Sequence, residues 1–166
     1  MRIMGIDPGY AIVGYGLLDY SGNRFSVVNF GAITTSADMP FERRLLAIYD
    51  DMRVLLQSYK PDVVSIEKLF FNTNQKTGID VAQARGVTLL PVIQAGIPFF
   101  EYTPLQVKSS ITGYGRAEKQ QVQELVRTIL HLKEVPKPDD TADAVALAIT
   151  HAYSINTRRL IGQLGK

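Results

Sequence analysis

The sequence predicts a three-layer α/β domain with a mixed five-stranded sheet flanked by helices. Short apolar runs that end at an acid or a turn are typical of buried strands, and apolar residues at steps of three and four are typical of helices. Three strands come first and helices then alternate with strands, which indicates helices layered on a mixed sheet. The chain has 166 residues, 46% of them hydrophobic and 20% charged, which suits one domain with a sizeable core. We expect a single domain over residues 1–166, in which 157–166 is a flexible tail.

The first third of the chain has the pattern of an antiparallel β-meander. The apolar run 2–7 ends at Pro8-Gly9 and predicts the first strand. A second apolar stretch at 12–19 and a β-rich segment at 24–34 predict two more strands, and Ser21-Gly22-Asn23 between them is a tight-turn signal.

The other two thirds alternate helices with strands. Pro40 opens a helix with apolar residues at steps of three and four, and Pro61 ends it. A buried strand at 63–67 and a polar, aromatic loop at 69–78 follow. The rest of the chain predicts, in order, a helix, a strand and three helices at 79–95, 98–102, 104–111, 117–130 and 141–156.

Composition excludes several classes of protein. A chain without Cys has no disulfide scaffold, thiolate zinc site, iron–sulfur cluster or Cys nucleophile. The net charge of +2, from 18 basic and 16 acidic residues, does not indicate a strongly basic nucleic-acid coat. The N-terminus lacks a signal-peptide pattern, and the apolar stretch 87–100 is too short and interrupted to span a bilayer. We therefore expect a cytoplasmic protein without a membrane partner.

Two acids stand at the ends of predicted buried strands. Asp7 ends the first strand and Glu67 ends the fourth. Functional groups gather at the carboxyl ends of parallel strands, so both acids face one crevice if these strands are neighbours. Each acid taken alone is explained equally well as an ordinary polar residue at the start of a loop.

Three more acids lie in the segment 138–143. Asp favours a helix cap and first turn, which explains one or two of them. It explains Asp143 less well, because an apolar run follows that residue. Asp140 and Asp143 are three residues apart and share a helix face. Asp139 points elsewhere on this interpretation and serves the cap.

Converging carboxylates indicate a metal site for a hard cation. Unpartnered acids repel and raise each other's pKa, and Mg²⁺ removes that repulsion because it binds oxygen ligands. Two such ions stabilise the attacking and leaving oxygens of an in-line phosphoryl displacement. Zinc is disfavoured, since there is no Cys and since His131 and His151 fall outside these positions.

Motifs along nearly the whole chain resemble those of RuvC-type Holliday-junction resolvases. They occur in the family's order between Met4 and about His151, and the ordered set is specific although each motif alone is weak. The motifs are Met4-Gly5-Ile6-Asp7-Pro8-Gly9-Tyr10, Gly14-Tyr15-Gly16, Ile66-Glu67-Lys68-Leu69-Phe70, Gln83-Ala84-Arg85-Gly86, Tyr102-Thr103-Pro104-Leu105-Gln106-Val107-Lys108, Ala117-Glu118-Lys119-Gln120-Gln121-Val122 and Asp140-Thr141-Ala142-Asp143-Ala144.

The resemblance implies a ribonuclease H-like fold that works as a homodimer. It implies paired, symmetric nicks in two strands of a four-way DNA junction during recombination and repair, with a RuvA/RuvB-type branch-migration complex as partner. It places the helix from Ile79 at the dimer contact. Packing on the chain's own sheet explains the small residues Ala82, Ala84 and Gly86 of that helix at least as well.

The resemblance also implies the catalytic residues. The family's four carboxylates correspond to Asp7, Glu67, Asp140 and Asp143, and they would hold two Mg²⁺ per site, with Mn²⁺ able to substitute. Asp140 is preferred to Asp139 because its spacing to Asp143 matches the motif. Water held by one ion would attack phosphorus, and the products would carry a 5′-phosphate and a 3′-hydroxyl.

Several residues are implied as DNA contacts. Lys119 and Lys108 are assigned to the site as phosphate contacts or transition-state cations, although most lysines are solvated surface charges. Phe70 is interpreted as an apolar wedge between bases at the crossover, whereas Phe71 is assigned to the core. The remaining candidates form a basic phosphate track: Lys68, Lys76, Arg85 and Arg116.

Three alternatives remain open from the sequence. One is another ribonuclease H-like nuclease with a different substrate, and another is a non-catalytic junction-binding module. The third arises because Asp7-Pro8-Gly9 with Gly14 is similar to the phosphate loop of sugar kinases and actin-like ATPases. Those chains need two such domains, and 166 residues hold one.

Overall fold

Five strands form one mixed sheet, and helices pack on both of its faces. The computed structural model of the chain describes residues 1–68 and 75–164, with side chains for 1–68 and 78–156. The strands are β1 (Arg2–Asp7), β2 (Ile12–Ser21), β3 (Arg24–Thr34), β4 (Val63–Glu67) and β5 (Phe99–Tyr102). The helices are α1 (Phe41–Tyr59), α2 (Gln75–Gln94), α3 (Pro104–Thr112), α4 (Lys119–Ile129) and α5 (Asp139–Leu164). The predicted element order is confirmed.

The sheet has the strand order β3-β2-β1-β4-β5. The first three strands are antiparallel neighbours, as the meander pattern predicts. On the other side of β1, β4 pairs with β1 in parallel and β5 pairs with β4 in parallel. One hydrophobic core lies under α1 and α2, and the other lies under α3, α4 and α5. The predicted three layers are therefore confirmed, with β1 in the centre of the sheet.

Three helices differ by two residues or more from their predicted bounds. The helix α4 is shorter, at Lys119–Ile129 instead of 117–130. The helix α2 begins at Gln75 instead of 79, so the end of the predicted loop is helical, while 69–74 lie outside the described residues. The helix α5 begins at Asp139 instead of 141, because acids in a first turn interact favourably with the helix dipole. It also continues to Leu164, through most of the predicted tail, since the chain has no proline there to end it.

Three glycines on one face of the sheet let α5 lie directly on the strands. A Cβ atom on Gly5 would lie 1.9 Å from the carbonyl oxygen of Ala144, and one on Gly14 would lie 2.0 Å from that of Asp140. A Cβ on Gly16 would lie 2.5 Å from a methyl carbon of Val145. No other residue type leaves room for this approach, so these glycines fix how closely the helix backbone approaches β1 and β2.

Two side-chain hydrogen bonds also hold α5 on the sheet. Ser65 Oγ on β4 donates to the carbonyl oxygen of Leu147 at 2.7 Å, in a fully buried position. Thr141 Oγ1 donates to the carbonyl oxygen of Gly31 on β3 at 3.0 Å. The helix is thus bonded to strands on both sides of β1, which fixes its position along the sheet.

Within residues 1–68 and 75–164, no helix combines the length and apolar character needed to cross a bilayer.

Candidate active site

The carboxylates Asp7 and Glu67 lie at the ends of adjacent parallel strands. Ile6 of β1 is opposite Ile66 of β4, and the two acids are the next residues along. Alternation along the strands directs both side chains to the face that α5 covers, where Ser65 also points. The two strands are neighbours, so the condition for a shared crevice is met at the carboxyl ends of β1 and β4.

The N-terminus of α5 brings two more acids to this crevice. Asp7 is paired across the ladder with Gly14 of β2, and the missing Cβ of Gly14 is where the backbone of Asp140 sits. Asp143 is one helical turn further along the same face. The close contact between α5 and the sheet therefore places Asp140 and Asp143 beside Asp7.

Lys119 enters the same cluster from α4. It is the first residue of that helix, and its Nζ lies 2.9 Å from Asp143 Oδ2 and 3.4 Å from Asp139 Oδ2. The sequence interpretation gave Asp139 to the helix cap, but the residue is the first of α5 and its carboxylate faces Lys119. The ammonium group thus connects the starts of two helices at the edge of the acidic cluster.

Burial and mutual repulsion raise the pKa of Asp7 to about 8. Burial is the largest cause, and the negative charge of Glu67 is the next. Asp143 and Asp140 raise this pKa further, while the charge of Lys119 lowers it. A carboxyl group with this pKa is mostly protonated at neutral pH, so the cluster holds more acids than its environment can keep ionised.

The pKa values of the neighbouring acids are displaced in the same direction. Burial and the charge of Asp143 raise the pKa of Glu67, and Lys119 opposes that change. Burial also raises the pKa of Asp143, against the hydrogen bond and the charge of Lys119. Burial lowers the pKa of Lys119, but its bonds to Asp143 and Asp139 outweigh this and raise it. The single charge of Lys119 is therefore not enough to balance the negative charge of the surrounding carboxylates.

This donor set fits a hard divalent cation in its chemistry. The ligands on offer are carboxylate oxygens, and the raised pKa of Asp7 shows that positive charge would stabilise the ionised cluster. Among the described residues, no three His, Asp or Glu side chains lie close enough to hold a metal ion as they stand. One reason is that Asp143 is bonded to Lys119. The acids would hold an ion only after closing further.

The structure separates the proposed DNA contacts. Lys108 lies half-buried on α3, and Arg116 is exposed just before α4. Neither forms an ion pair with another described residue, so Lys119 is the one that joins the acids among the implied cations whose side chains are described. Phe70 lies outside the described residues. The side chain of Lys76 does too, although its backbone is in α2.

Arg85 does not belong to an open phosphate track as predicted. Its guanidinium pairs with Glu101 of β5, and its Nε donates to the carbonyl oxygen of Glu67 at 3.5 Å. Lys68 is exposed, and its backbone N–H donates to the carbonyl oxygen of Tyr102. Arg85 therefore braces the strand end that carries Glu67, a role that only the ion pair between α2 and β5 makes visible.

The small residues that the sequence singled out on α2 have different environments in the structure. Ala84 is fully buried in the core under α1 and α2, as expected if the helix packs on its own sheet. Gly86 is exposed, and a Cβ there would meet no described atom within 4 Å. Ile79, Leu90 and Ile93 are also exposed on this helix.

The glycines under α5 are the functional residues that the sequence interpretation missed. Gly14 and Gly16 are in the quoted motifs, but without an assigned role. The signal that identifies them is the pairing of Gly5 with Gly16 across β1 and β2, which puts all three glycines on one face.

The family model described as "Crossover junction endodeoxyribonuclease RuvC" matches residues 3–151. The protein of that name from Ruminiclostridium cellulolyticum is 55% identical over 162 residues, which cover 98% of each chain. Its counterpart from Clostridioides difficile is 52% identical over 165 residues, covering 99% of this chain and 98% of the relative. This chain therefore has close to the full length of its relatives.

Solved structures share the fold. Thermus thermophilus RuvC has a TM-score of 0.87 at 34% identity, covering 95% of this chain and 96% of that one. The same protein in complex with a Holliday junction substrate has a TM-score of 0.86 at 32% identity, with the same coverage. The yeast mitochondrial Holliday junction resolvase Ydc2 has a TM-score of 0.68 at 16% identity, covering 98% and 86%, and so shares the fold alone. The ribonuclease H-like fold is confirmed, and the chain belongs to the crossover junction endodeoxyribonuclease RuvC family.

Proposed function

We propose that this protein is an endodeoxyribonuclease that resolves four-way DNA junctions. One observation carries the proposal: in a chain of the RuvC family, four acids from three separate elements converge beside a lysine at the carboxyl ends of β1 and β4. A non-catalytic binding module has no need for buried acids that repel one another, since they cost stability. The family's named activity accounts for them.

Nucleases of this family are in general metal-dependent, and we infer Mg²⁺ as the metal. Asp7, Glu67, Asp140 and Asp143 would hold it, with two ions per site and with Mn²⁺ able to substitute. When bound, the ions supply positive charge for the acids and for the phosphoryl group in the transition state. Oxygen-only ligands support this choice over zinc.

The chain's own residues bind and orient the phosphodiester in this proposal. Lys119 is half-exposed and already sits among the acids, so its ammonium group is available to a phosphate that approaches the crevice. Lys108 and Arg116 would bind the backbone further from the cut, as sequence-independent contacts. Hydrolysis at this site would leave a 5′-phosphate and a 3′-hydroxyl.

The exposed face of α2 supports a homodimer. Ile79, Gly86, Leu90 and Ile93 follow one another at steps of seven, four and three, so they form a stripe along one side of the helix. The exposed Gln83 lies on the same side, so the apolar side chains of the stripe are Ile79 at one end and Leu90 and Ile93 at the other. Exposed apolar residues gathered on one helix face indicate a partner surface. In an isologous contact the stripe faces its own copy, and two active sites are then related by a two-fold axis. A four-way junction has nearly the same symmetry.

The remaining parts of the proposal rest on family resemblance. They are a RuvA/RuvB-type branch-migration complex as partner and a role in recombination and repair. A cytoplasmic location is proposed from the sequence pattern at the N-terminus and in the stretch 87–100.

The proposal is tested with a synthetic four-way DNA junction labelled on each strand in turn. With Mg²⁺ the protein should nick two opposed strands at symmetric positions, and Asp7→Asn should bind the junction without cutting it. Cleavage of an RNA–DNA hybrid in preference to the junction would instead indicate another ribonuclease H-like nuclease. Binding without cleavage by the wild-type protein would indicate the non-catalytic module.

A further inference from the structure

The segment 113–118, which joins α3 to α4, presents one aromatic ring to solvent in a fixed position. Tyr114 is 49% exposed, yet its polar groups are bonded. Its backbone N–H donates to Thr112 Oγ1 at 3.3 Å. Its carbonyl oxygen lies 2.8 Å from that hydroxyl, which shares its one proton with the carbonyl oxygen of Lys108 at 2.9 Å. Its phenol O–H donates to Gln121 Oε1 at 2.8 Å. The backbone of Tyr114 and the hydroxyl at the end of its ring are both bonded, which restricts the ring before any ligand arrives.

Glycines on both sides of Tyr114 shape this turn. Gly113 has a φ of +83°, a backbone conformation that residues other than glycine rarely adopt. A Cβ on Gly115 would lie 2.4 Å from Leu105 Cδ1, so the turn folds back against the start of α3. Leu105 is itself exposed. The turn therefore forms a small exposed apolar surface from Leu105 and the ring of Tyr114, and contact of such a surface with water is unfavourable.

This surface is bonded to the first turn of α4, the turn that carries Lys119 of the acidic cluster. Gln121, which accepts from the Tyr114 hydroxyl, also accepts from the backbone N–H of Glu118 and completes the capping box of α4. Lys119, two residues before Gln121, is bonded to Asp143. The ring is thus connected to the same helical turn that carries the site's cation. Arg116, on the same segment, is exposed beside it.

We propose that Tyr114 is a stacking platform for a nucleobase of the DNA next to the cut phosphate. The inference rests on the proposed function, because it takes DNA as the ligand. Stacking of a base on an aromatic ring contributes about 1–3 kcal/mol and suits any base, since each has a flat face. The bond from its hydroxyl to Gln121 lowers the entropy that the ring loses on binding. Lys119 and Arg116 supply charge for the adjoining phosphates, so ring and cations together contact one nucleotide.

The absence of Trp from the sequence makes a direct test possible. Tyr114→Trp gives the protein a single Trp. The fluorescence of this Trp is quenched when the indole ring stacks on a base. We expect a four-way junction, added in EDTA, to quench this fluorescence by at least half, with saturation at the binding stoichiometry. The matched control is Tyr49→Trp, because Tyr49 on α1 also donates its hydroxyl to a glutamine, Gln94. Its fluorescence should stay unchanged.

A kinetic test separates stacking from a structural role. We expect Tyr114→Leu to raise KM for the junction by about 10-fold with kcat within two-fold, since it removes only binding. Tyr114→Phe, which keeps the ring, should recover most of the affinity. A lower melting temperature with unchanged KM in Tyr114→Leu would overturn the inference, as would an unquenched Trp. If the wild-type protein cuts junctions while the Trp stays unquenched, this inference fails and the proposed function stands. If the wild-type protein cuts no junction, the proposed function itself fails.

Discussion

At the scale of single residues, Asp7 shows how function lowers stability. Its folded pKa of about 8 lies above the value of 3.8 for a free side chain. The folded state therefore binds this proton more tightly than the unfolded state does. Its contribution to stability is complete below pH 3.8 and is lost as pH rises toward 8.

Asp7→Asn should therefore stabilise the metal-free protein while abolishing cleavage. At neutral pH we expect a gain of about 1–3 kcal/mol, because Asn removes a buried ionisable group from a cluster of acids. Thermal unfolding in EDTA measures this gain, which should be larger at pH 8 than at pH 5. An equal difference in melting temperature at the two pH values would contradict the assignment of the raised pKa to Asp7.

Lys119→Met tests the cation that the described residues place inside the cluster. The variant keeps the length of the side chain but removes the charge that opposes the raised pKa of Asp143 and Glu67. We expect cleavage to slow by about 100-fold, as for other lost electrostatic contacts to a transition state. Junction binding should weaken much less. Lys133→Met is the control, because Lys133 is exposed and forms no ion pair with a described residue. If both variants lost the same cleavage activity, Lys119 would contribute only to the overall positive charge of the protein and not to the active site.

The sequence predicted the acids but not their contacts. Asp7 and Glu67 are recognisable because a buried strand ends at each, and Asp140 and Asp143 because of their three-residue spacing. The pairing of Lys119 with Asp143, and of Arg85 with Glu101, joins segments that are distant in the chain. Such contacts depend on how helices pack, which no local pattern encodes.

At the scale of elements, the contact between α5 and the sheet determines whether the site forms. Glycines remove the side chains that would separate helix from strand, and Ser65 and Thr141 fix the helix along the strands. The element order could be predicted because hydrophobic periodicity is local. The start of α2 and both ends of α5 could not, since polar first turns and chain ends carry little periodicity.

Gly14→Ala should disrupt this contact strongly. The added Cβ would overlap the carbonyl oxygen of Asp140, and backbone cannot move aside as a side chain does. We expect a loss of about 3 kcal/mol or more, which lowers the melting temperature by roughly 10 °C, together with loss of cleavage. Ser65→Ala removes only the bond to Leu147 and should cost about 1 kcal/mol. If the two variants lost the same stability, hydrogen bonding and not close approach would hold the helix.

At the scale of the whole molecule, paired nicks require two active sites in a fixed relation. One chain contains one acidic cluster, at the carboxyl ends of β1 and β4. The exposed stripe of α2 is on the helix that follows Glu67 and Lys68 along the chain. An isologous dimer through this stripe would thus relate the two clusters through the helix that follows the strand of Glu67.

Ile93→Glu tests whether this stripe is the dimer contact. Ile93 is 58% exposed on α2, and a Glu at a self-facing position places two like charges in an apolar contact, which should lower dimer affinity at least 100-fold. Val54→Glu is a matched control, because Val54 is 59% exposed on the neighbouring helix α1. Light scattering across a concentration series should show Ile93→Glu as a monomer and Val54→Glu as a dimer.

A cleavage assay tests what the dimer contributes. The Ile93→Glu variant should produce single nicks, because each monomer still contains a complete acidic cluster. The Val54→Glu variant should produce paired nicks. Paired nicks from a monomeric Ile93→Glu would show that the two cuts do not depend on this interface.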